Sequence, residues 1–287
     1  MQRVKRQLAP YLLVLPGGLW LLLFFAIPMI AMLSLSLQQG DVVNGYRFTF
    51  HWQNYTDAIE GYHTQLVRSL IYGAIATIAM IILAFPVAYW IAFYGGKRKP
   101  TYLFLLLLPF FVSFVLRTIS WRQILTDEGP VLRPLKDLGL LADSYHILGT
   151  PTAVIGGLVY NFLPFMVLPI YVALERIDPR VVEASRDLYA NPTLTFRKVV
   201  LPLALPGVFA GVLMSFVPAS SDYVNSEVLG SSSTTMIGQV IQAKYLVNTD
   251  YPAAAALSFI LMAVLLIGIF IYARALGTED VMKVAAR

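Results

Sequence analysis

Six long stretches of this chain, residues 11–37, 70–94, 100–116, 147–174, 199–221 and 251–273, contain no Lys, Arg, Asp or Glu. A helix needs about 20 largely apolar residues to cross the hydrocarbon core of a bilayer. A helix satisfies its backbone N–H and C=O groups inside its own segment, so each of the six runs qualifies as a spanning helix. The expected fold is all-α, a polytopic membrane protein with six transmembrane helices. The third run is the shortest and is expected to continue past Arg117 to about Leu125. Arg117 and Arg122 would then face water or protein, because an arginine at the membrane centre costs about 2.5–3.5 kcal/mol on insertion scales. Arg68 would extend the second helix outward in the same way. With 58% hydrophobic and 13% charged residues and a mean hydropathy of +0.70, the chain lies outside the soluble range.

Charge in the loops sets the orientation. With the N-terminus inside, fourteen of the 21 basic residues fall on the cytoplasmic side, among them Arg3, Lys97 to Lys99, Arg176, Arg197 and Lys198. That asymmetry favours both termini in the cytoplasm. The net charge of +5 is then topogenic, and nucleic acid is not an expected partner. The first run follows a basic start, as a cleaved signal peptide would, but a secretory core is about 7–15 residues and this run is longer, so a retained anchor is expected. Asn44-Gly45 marks a turn in the first outer loop, and residues 126–149 read as a surface segment with one short interfacial helix. No repeat or disordered linker divides the chain, which reads as one transmembrane domain over residues 1–287. Without cysteine there is no disulfide framework or thiolate site.

Several chemistries lack their motifs. There is no G-x-x-x-x-G-K-[ST] loop to hold nucleotide phosphates, and no G-x-S-x-G elbow. His51, His63 and His146 are scattered in outer loops without metal-ligand spacing, so no metal site and no catalytic residues are expected. A stand-alone secondary transporter would place ionisable residues near mid-membrane, and the uncharged runs speak against it.

The stretch EASRDLYANPTLTFRKVVLP, Glu183 to Pro202, interrupts the apolar runs with a charged amphipathic segment. Asp178-Pro179 and Asn191-Pro192 each look like a helix start, with a capping side chain followed by proline at the first helical position. Two short helices are predicted, about residues 179–188 and 192–201, joined by Tyr189, Ala190 and Asn191. Val181, Ala184 and Leu188 recur at helical spacing as an apolar stripe. Read from the residues alone, the loop is either a solvated interfacial turn or a docking element.

This stretch resembles the E-A-A, three residues, G-A pattern with a later hydrophobic residue and a proline in permease subunits of bacterial ABC importers. The resemblance implies that Glu183, Ala184, Ser185, Leu188, Tyr189, Ala190 and Phe196 couple the membrane helices to an ATPase. Tyr189 stands where that family has glycine, and Ser185 replaces the second alanine. Either Asn191 rebuilds the turn, or Tyr189 is itself a contact to the ATPase. Further stretches, PFFVSFVLRTISW from Pro109, LVYNFLPFMVLPIY from Leu158 and PASSDYVNSEVLG from Pro218, are similar to spans of the spermidine/putrescine permeases. The resemblance implies a type I importer fold, a second permease subunit, two ATPase subunits that bind ATP and Mg, and an extracytoplasmic solute-binding protein. The expected function is polyamine import across a bacterial inner membrane by alternating access, with iron, thiamine or another small solute as the alternative cargo.

For a polycation, the substrate-pathway residues singled out are Asp222, Tyr223 and Glu227 after the fifth span, with Tyr160, Trp121 and Arg117. Carboxylates attract ammonium groups, and aromatic faces add cation–π attraction of about 0.5–2 kcal/mol. The competing reading pairs Asp222 with Arg117 or Arg122. Prolines inside four of the runs fit helices that line a pathway, since each frees backbone groups for neighbours or cavity water. Gly207 and Gly211 form a G-x-x-x-G face suited to close helix approach.

Overall fold

The computed structural model describes residues 14–275. The basic residues at the two ends, Arg3, Lys5, Arg6, Lys283 and Arg287, and the first positions of the first apolar run lie outside the described residues. Helix α1, Val14–Ser36, is followed by an antiparallel hairpin of β1, Gln38–Asp41, and β2, Gly45–Phe48. The hairpin turn forms at the expected Asn44-Gly45. The Asp41 carboxylate accepts from the backbone N–H groups of Val43 and Asn44 at 2.8 and 2.7 Å, and Gly45 takes a positive φ of 78°.

Helix α2, Gln53–Tyr94, starts well before the apolar run at residue 70 and includes Arg68. Its 42 residues run on because nothing in the polar half breaks the helix, and Arg68 is satisfied by donating to the Thr235 carbonyl at 2.9 Å. The third expected span is broken rather than continuous: α3, Gly96–Phe111, and α4, Phe114–Ile124, meet at 88°. Pro109 has no N–H to donate, the chain tightens into a short 3₁₀ turn there, and Val112 and Ser113 are extended before the helix restarts.

A short helix, α5, Leu132–Asp137, occupies the predicted surface segment. Helix α6, Pro151–Glu175, opens on Thr150, whose hydroxyl accepts from the Ala153 N–H. Then come α7, Pro179–Asp187, and α8, Pro192–Ser221. The second loop helix is therefore not a separate element, because a wide π turn over residues 196–200 carries it straight into the fifth span. Helices α9, Val224–Leu229, and α10, Ile237–Gln242, precede α11, Tyr251–Ala275.

The chain packs as two compact units. One holds the hairpin, the start of α2 and Ile241–Met262; the other holds Thr64–Val240 with the end of α11. In the second unit α2 contributes a stripe of Ala76, Met80, Ala84 and Ala88, each 0% exposed, at four-residue spacing. Leu158, Met166, Val167 and Ile170 of α6 and Ala204 of α8 complete the core. Lipid-length apolar surface is left outside: Trp20, Phe24 and Phe25 of α1 are all exposed.

Helices α6 and α8 touch through the expected glycine face. A Cβ on Gly207 would lie 2.5 Å from the Pro169 carbonyl oxygen and from Ala173, and one on Gly211 would lie 2.7 Å from the Met166 sulfur. A Cβ on Gly268 of α11 would meet nothing within 4 Å among the described residues outside its own helix backbone. Gly207→Ala is therefore expected to destabilise the protein by about 1–3 kcal/mol through overpacking. Gly268→Ala, with open space and better helix propensity, should be neutral or stabilising by up to ~1 kcal/mol. Thermal unfolding of the two variants in detergent checks the contrast.

Candidate functional site

Both candidate regions belong to the second unit and sit at opposite ends of α8. At its head, α7 begins as the sequence predicts: Asp178 accepts from the Arg180 N–H at 2.9 Å, and Asn191 does the same for Leu194 at 2.8 Å. The end of α7 is a Schellman turn. The Tyr189 N–H donates to the Arg186 carbonyl and the Ala190 N–H to the Ser185 carbonyl, with Tyr189 in the left-handed region at φ 58°. Asn191 has φ −70°, so it is Tyr189 itself that takes the conformation glycine favours.

The loop residues divide by face. Glu183 and Ala184 point outward, Leu188 is 82% exposed and Tyr189 is 98% exposed. Ser185 is buried and its hydroxyl lies 3.0 Å from that of Thr195, which ties α7 to the head of α8. Phe196 packs inward, edge-on to Phe85 at 5.4 Å and to Tyr89 at 6.0 Å. Ser185 and Phe196 thus brace the loop from inside, while Glu183, Ala184, Leu188 and Tyr189 form its outward surface.

At the tail of α8 a chain of hydrogen bonds crosses the helix bundle. Asn161 of α6 donates through Nδ2 to Thr118 of α4 at 3.2 Å and to the Asn225 side-chain oxygen at 3.1 Å. Asn225 donates in turn to Asp222 Oδ1, from its backbone N–H at 2.7 Å and from Nδ2 at 3.1 Å. Asp222 is 8% exposed, and burial pushes its carboxyl up to about 6, against the lowering effect of those two bonds. Beside Asn225 in sequence, Ser226 donates to Gln239 Oε1 at 2.8 Å and accepts from the Met236 N–H at 2.9 Å.

Arg117, on α4 beside Thr118, is 7% exposed and makes no ion pair among the described residues, with Asp222 or otherwise. Its guanidinium rests on aromatic faces, 4.6 Å from the Phe110 ring centre, 5.8 Å from Phe114 and 5.9 Å from Tyr160. Among the described residues Nε and Nη1 are enclosed without a hydrogen-bond partner, as is the Asn161 side-chain oxygen. Trp121 meets Tyr160 edge-on at 5.2 Å. The structure thus brings Arg117, Trp121 and Tyr160 together and links Asp222 to α4 through two amides. Tyr223 and Glu227 remain exposed and outside this network.

Sequence reasoning missed Thr118, Asn161 and Asn225. The available signal was the lone amide Asn161 within an apolar run, since a polar side chain inside a span has to find a partner. A search for full charges alone passes over it.

The comparisons with known proteins agree with this architecture. A family model described as "Binding-protein-dependent transport system inner membrane component" matches residues 67–276. The spermidine/putrescine transport system permease protein PotB of Haemophilus influenzae is 37% identical over 89% of this chain and 90% of its own length. PotB of Escherichia coli K12 is 35% identical over 89% of this chain and 94% of its own. Among solved structures, a bacterial ABC transporter involved in the import of the acidic polysaccharide alginate superposes with a TM-score of 0.70 at 19% identity, covering 97% of this chain and 98% of that one. The inward-facing MetNI methionine ABC transporter gives a TM-score of 0.54, covering 77% and 94%. The fold is that of the type I ABC importer permeases, carried among the described residues by five membrane-length helices and a sixth, bent pair. This multi-pass inner-membrane chain belongs to the binding-protein-dependent transport system inner membrane component family.

Proposed function

We propose that this chain is the permease subunit of an ATP-driven importer that carries polyamines such as spermidine and putrescine across the inner membrane by alternating access. The observation that carries this reading is the identity of 35–37% to PotB permeases along 89% of the chain. In this reading a second permease subunit completes the pathway, a solute-binding protein delivers the cargo, and separate ATPase subunits hold ATP and Mg. The chain itself performs no catalysis.

The outward surface of Glu183, Ala184, Leu188 and Tyr189 is the docking face for the ATPase, and α8 passes its movement to the polar seam. There Asp222 offers the negative charge that meets a polycation. Arg117 and the neutral amides keep the site from holding the cargo too tightly to release it. Orientation draws support from an ion pair: Lys99 Nζ lies 2.9 Å from Glu175, so the basic loop at residues 97–99 and the loop after α6 share one end. That end is taken as cytoplasmic, with both termini.

Three experiments test these assignments. Ala184→Arg should abolish ATP-driven spermidine uptake, at least about tenfold, while the chain still inserts, because a charged side chain replaces a methyl on the docking face. Uptake at native rate in this variant removes the coupling assignment. A cysteine introduced at position 98 of this cysteine-free chain should resist an impermeant thiol reagent in intact cells and react after permeabilisation; labelling of intact cells reverses the orientation.

Asp222→Asn keeps an oxygen to accept from Asn225 but removes the charge. Uptake should fall by roughly tenfold, equivalent to about 1.4 kcal/mol. The raised carboxyl also fixes a sign. The folded protein binds the proton more tightly than the unfolded chain, so this stabilisation is full below the ordinary carboxylate value and is lost as pH rises through about 6. The native complex should therefore lose thermal stability between pH 4.5 and 7, and the Asn variant should lose less. Unchanged uptake in a well-assembled Asp222→Asn complex removes the substrate role.

A further inference from the structure

The first unit contains a cavity that none of the assignments above uses. Its volume is about 350 Å³, and its walls include Asn54, Asp57 and Tyr62 of α2 together with Lys244 and Asp250 from the chain leading into α11. That volume falls within the range of small-molecule sites.

The chemistry of the walls is specific. The Lys244 ammonium lies 3.0 Å from Asp250 Oδ2 and 5.8 Å from the centre of the Tyr62 ring. A primary ammonium on an alkyl stem is thus already held here by a carboxylate and an aromatic face, the two groups that recognise such a cation in general. Asp57 supplies a second carboxylate on the wall and makes no ion pair or hydrogen bond among the described residues. The lining is therefore one negative charge in excess, and the Asp57 carboxylate is exposed at its edge.

The holder is braced. Asp250 caps α11 by accepting from the Ala253 N–H, and its own N–H donates to the Lys244 carbonyl. The Tyr46 hydroxyl donates to the Thr249 carbonyl at 2.7 Å, and Tyr251 packs 5.7 Å from Tyr46 and 4.9 Å from Tyr245. A carboxylate fixed this firmly presents its free surface to the cavity at little further ordering cost.

We propose that this cavity is a second cation subsite, taking one end of a linear aliphatic diamine or polyamine, with Asp57 binding the incoming ammonium and Lys244 acting as a tethered competitor for Asp250. The subsite rests on the polyamine reading given above and places a holding point for cargo apart from the seam at Asp222. Because Lys244 occupies half of the negative charge, the site binds weakly enough to hand its cargo on.

The two residues make predictions of opposite sign. In the purified, reconstituted importer without its solute-binding protein, equilibrium binding of radiolabelled putrescine should weaken by about fivefold in Asp57→Asn, the worth of one partly exposed ion pair. In Lys244→Met it should tighten by a similar factor, because the internal ammonium no longer competes. Gel filtration and thermal unfolding establish assembly, and Lys244→Gln replaces Lys244→Met if the latter does not assemble. A merely structural ion pair would weaken binding in both or alter neither, and either result overturns the subsite. ATP-driven spermidine uptake by the native complex with its binding protein is measured separately. Its absence overturns the polyamine reading as a whole, whereas native uptake with unaltered putrescine binding in both variants overturns the subsite alone.

Discussion

The close approach of α6 and α8 is the contact on which the rest of the second unit depends. Lipid tails are as apolar as a leucine side chain, so helices in a bilayer gain little from hiding apolar surface and must gain instead from packing and hydrogen bonds. Gly207 and Gly211 provide that packing by letting α8 lie against the backbone of α6 at Pro169 and Met166. With its flank fixed, α8 becomes a rod of 30 residues, about 45 Å long at the usual rise. Its two ends then have defined places, the head against α7 through Ser185 and Thr195 and the tail against α9 through Asp222 and Asn225.

Each end holds a residue that costs free energy to keep as it is. Tyr189 adopts the left-handed region, which costs a residue with a Cβ roughly 1–2 kcal/mol, while its ring touches almost nothing in this chain. Arg117 is buried with Nε and Nη1 unbonded among the described residues, and aromatic faces offset part of its desolvation. Such conformations persist where the surroundings over-determine them and gather at sites that work. A Schellman turn with both of its hydrogen bonds made over-determines the first. The packing of α4 against Phe110 and Tyr160 does so for the second.

Much of this was legible in the residues. Runs free of charge gave the spanning helices, and the Asp-Pro and Asn-Pro pairs gave both caps around the loop, since those devices are local. The stripe of Ala184 and Leu188 was legible too, because helical spacing sets which residues share a face. What could not be read depends on distant partners. Pro109 marks a weak point in the third run, but its residue type does not set the 88° angle, and the run of the second loop helix into α8 turns on a π turn that no residue type announces. Phe196 and Ser185 were grouped with Glu183, Ala184, Leu188 and Tyr189 because the motif is linear and says nothing of faces. In three dimensions Ser185 lies about 100° round α7 from Ala184 and faces inward, and Phe196 belongs to the next helix. The buried amides escaped for a similar reason: Asn161 becomes informative only when Thr118 and Asn225 are seen on either side of it.

An unbroken α8 also constrains how the two ends can influence each other. If occupancy at the Asp222 end changes the position of the rod, the head moves with it, and thermodynamic linkage requires the effect to run equally in both directions. A partner that grips the loop more tightly in one position must change the affinity at the far end by that same factor. In the proposed reading, cargo at the seam would likewise alter the grip on the partner. A device of this kind has no fixed sender and receiver at equilibrium; direction enters only through an outside source of free energy, which in the proposed reading is nucleotide hydrolysis in another chain.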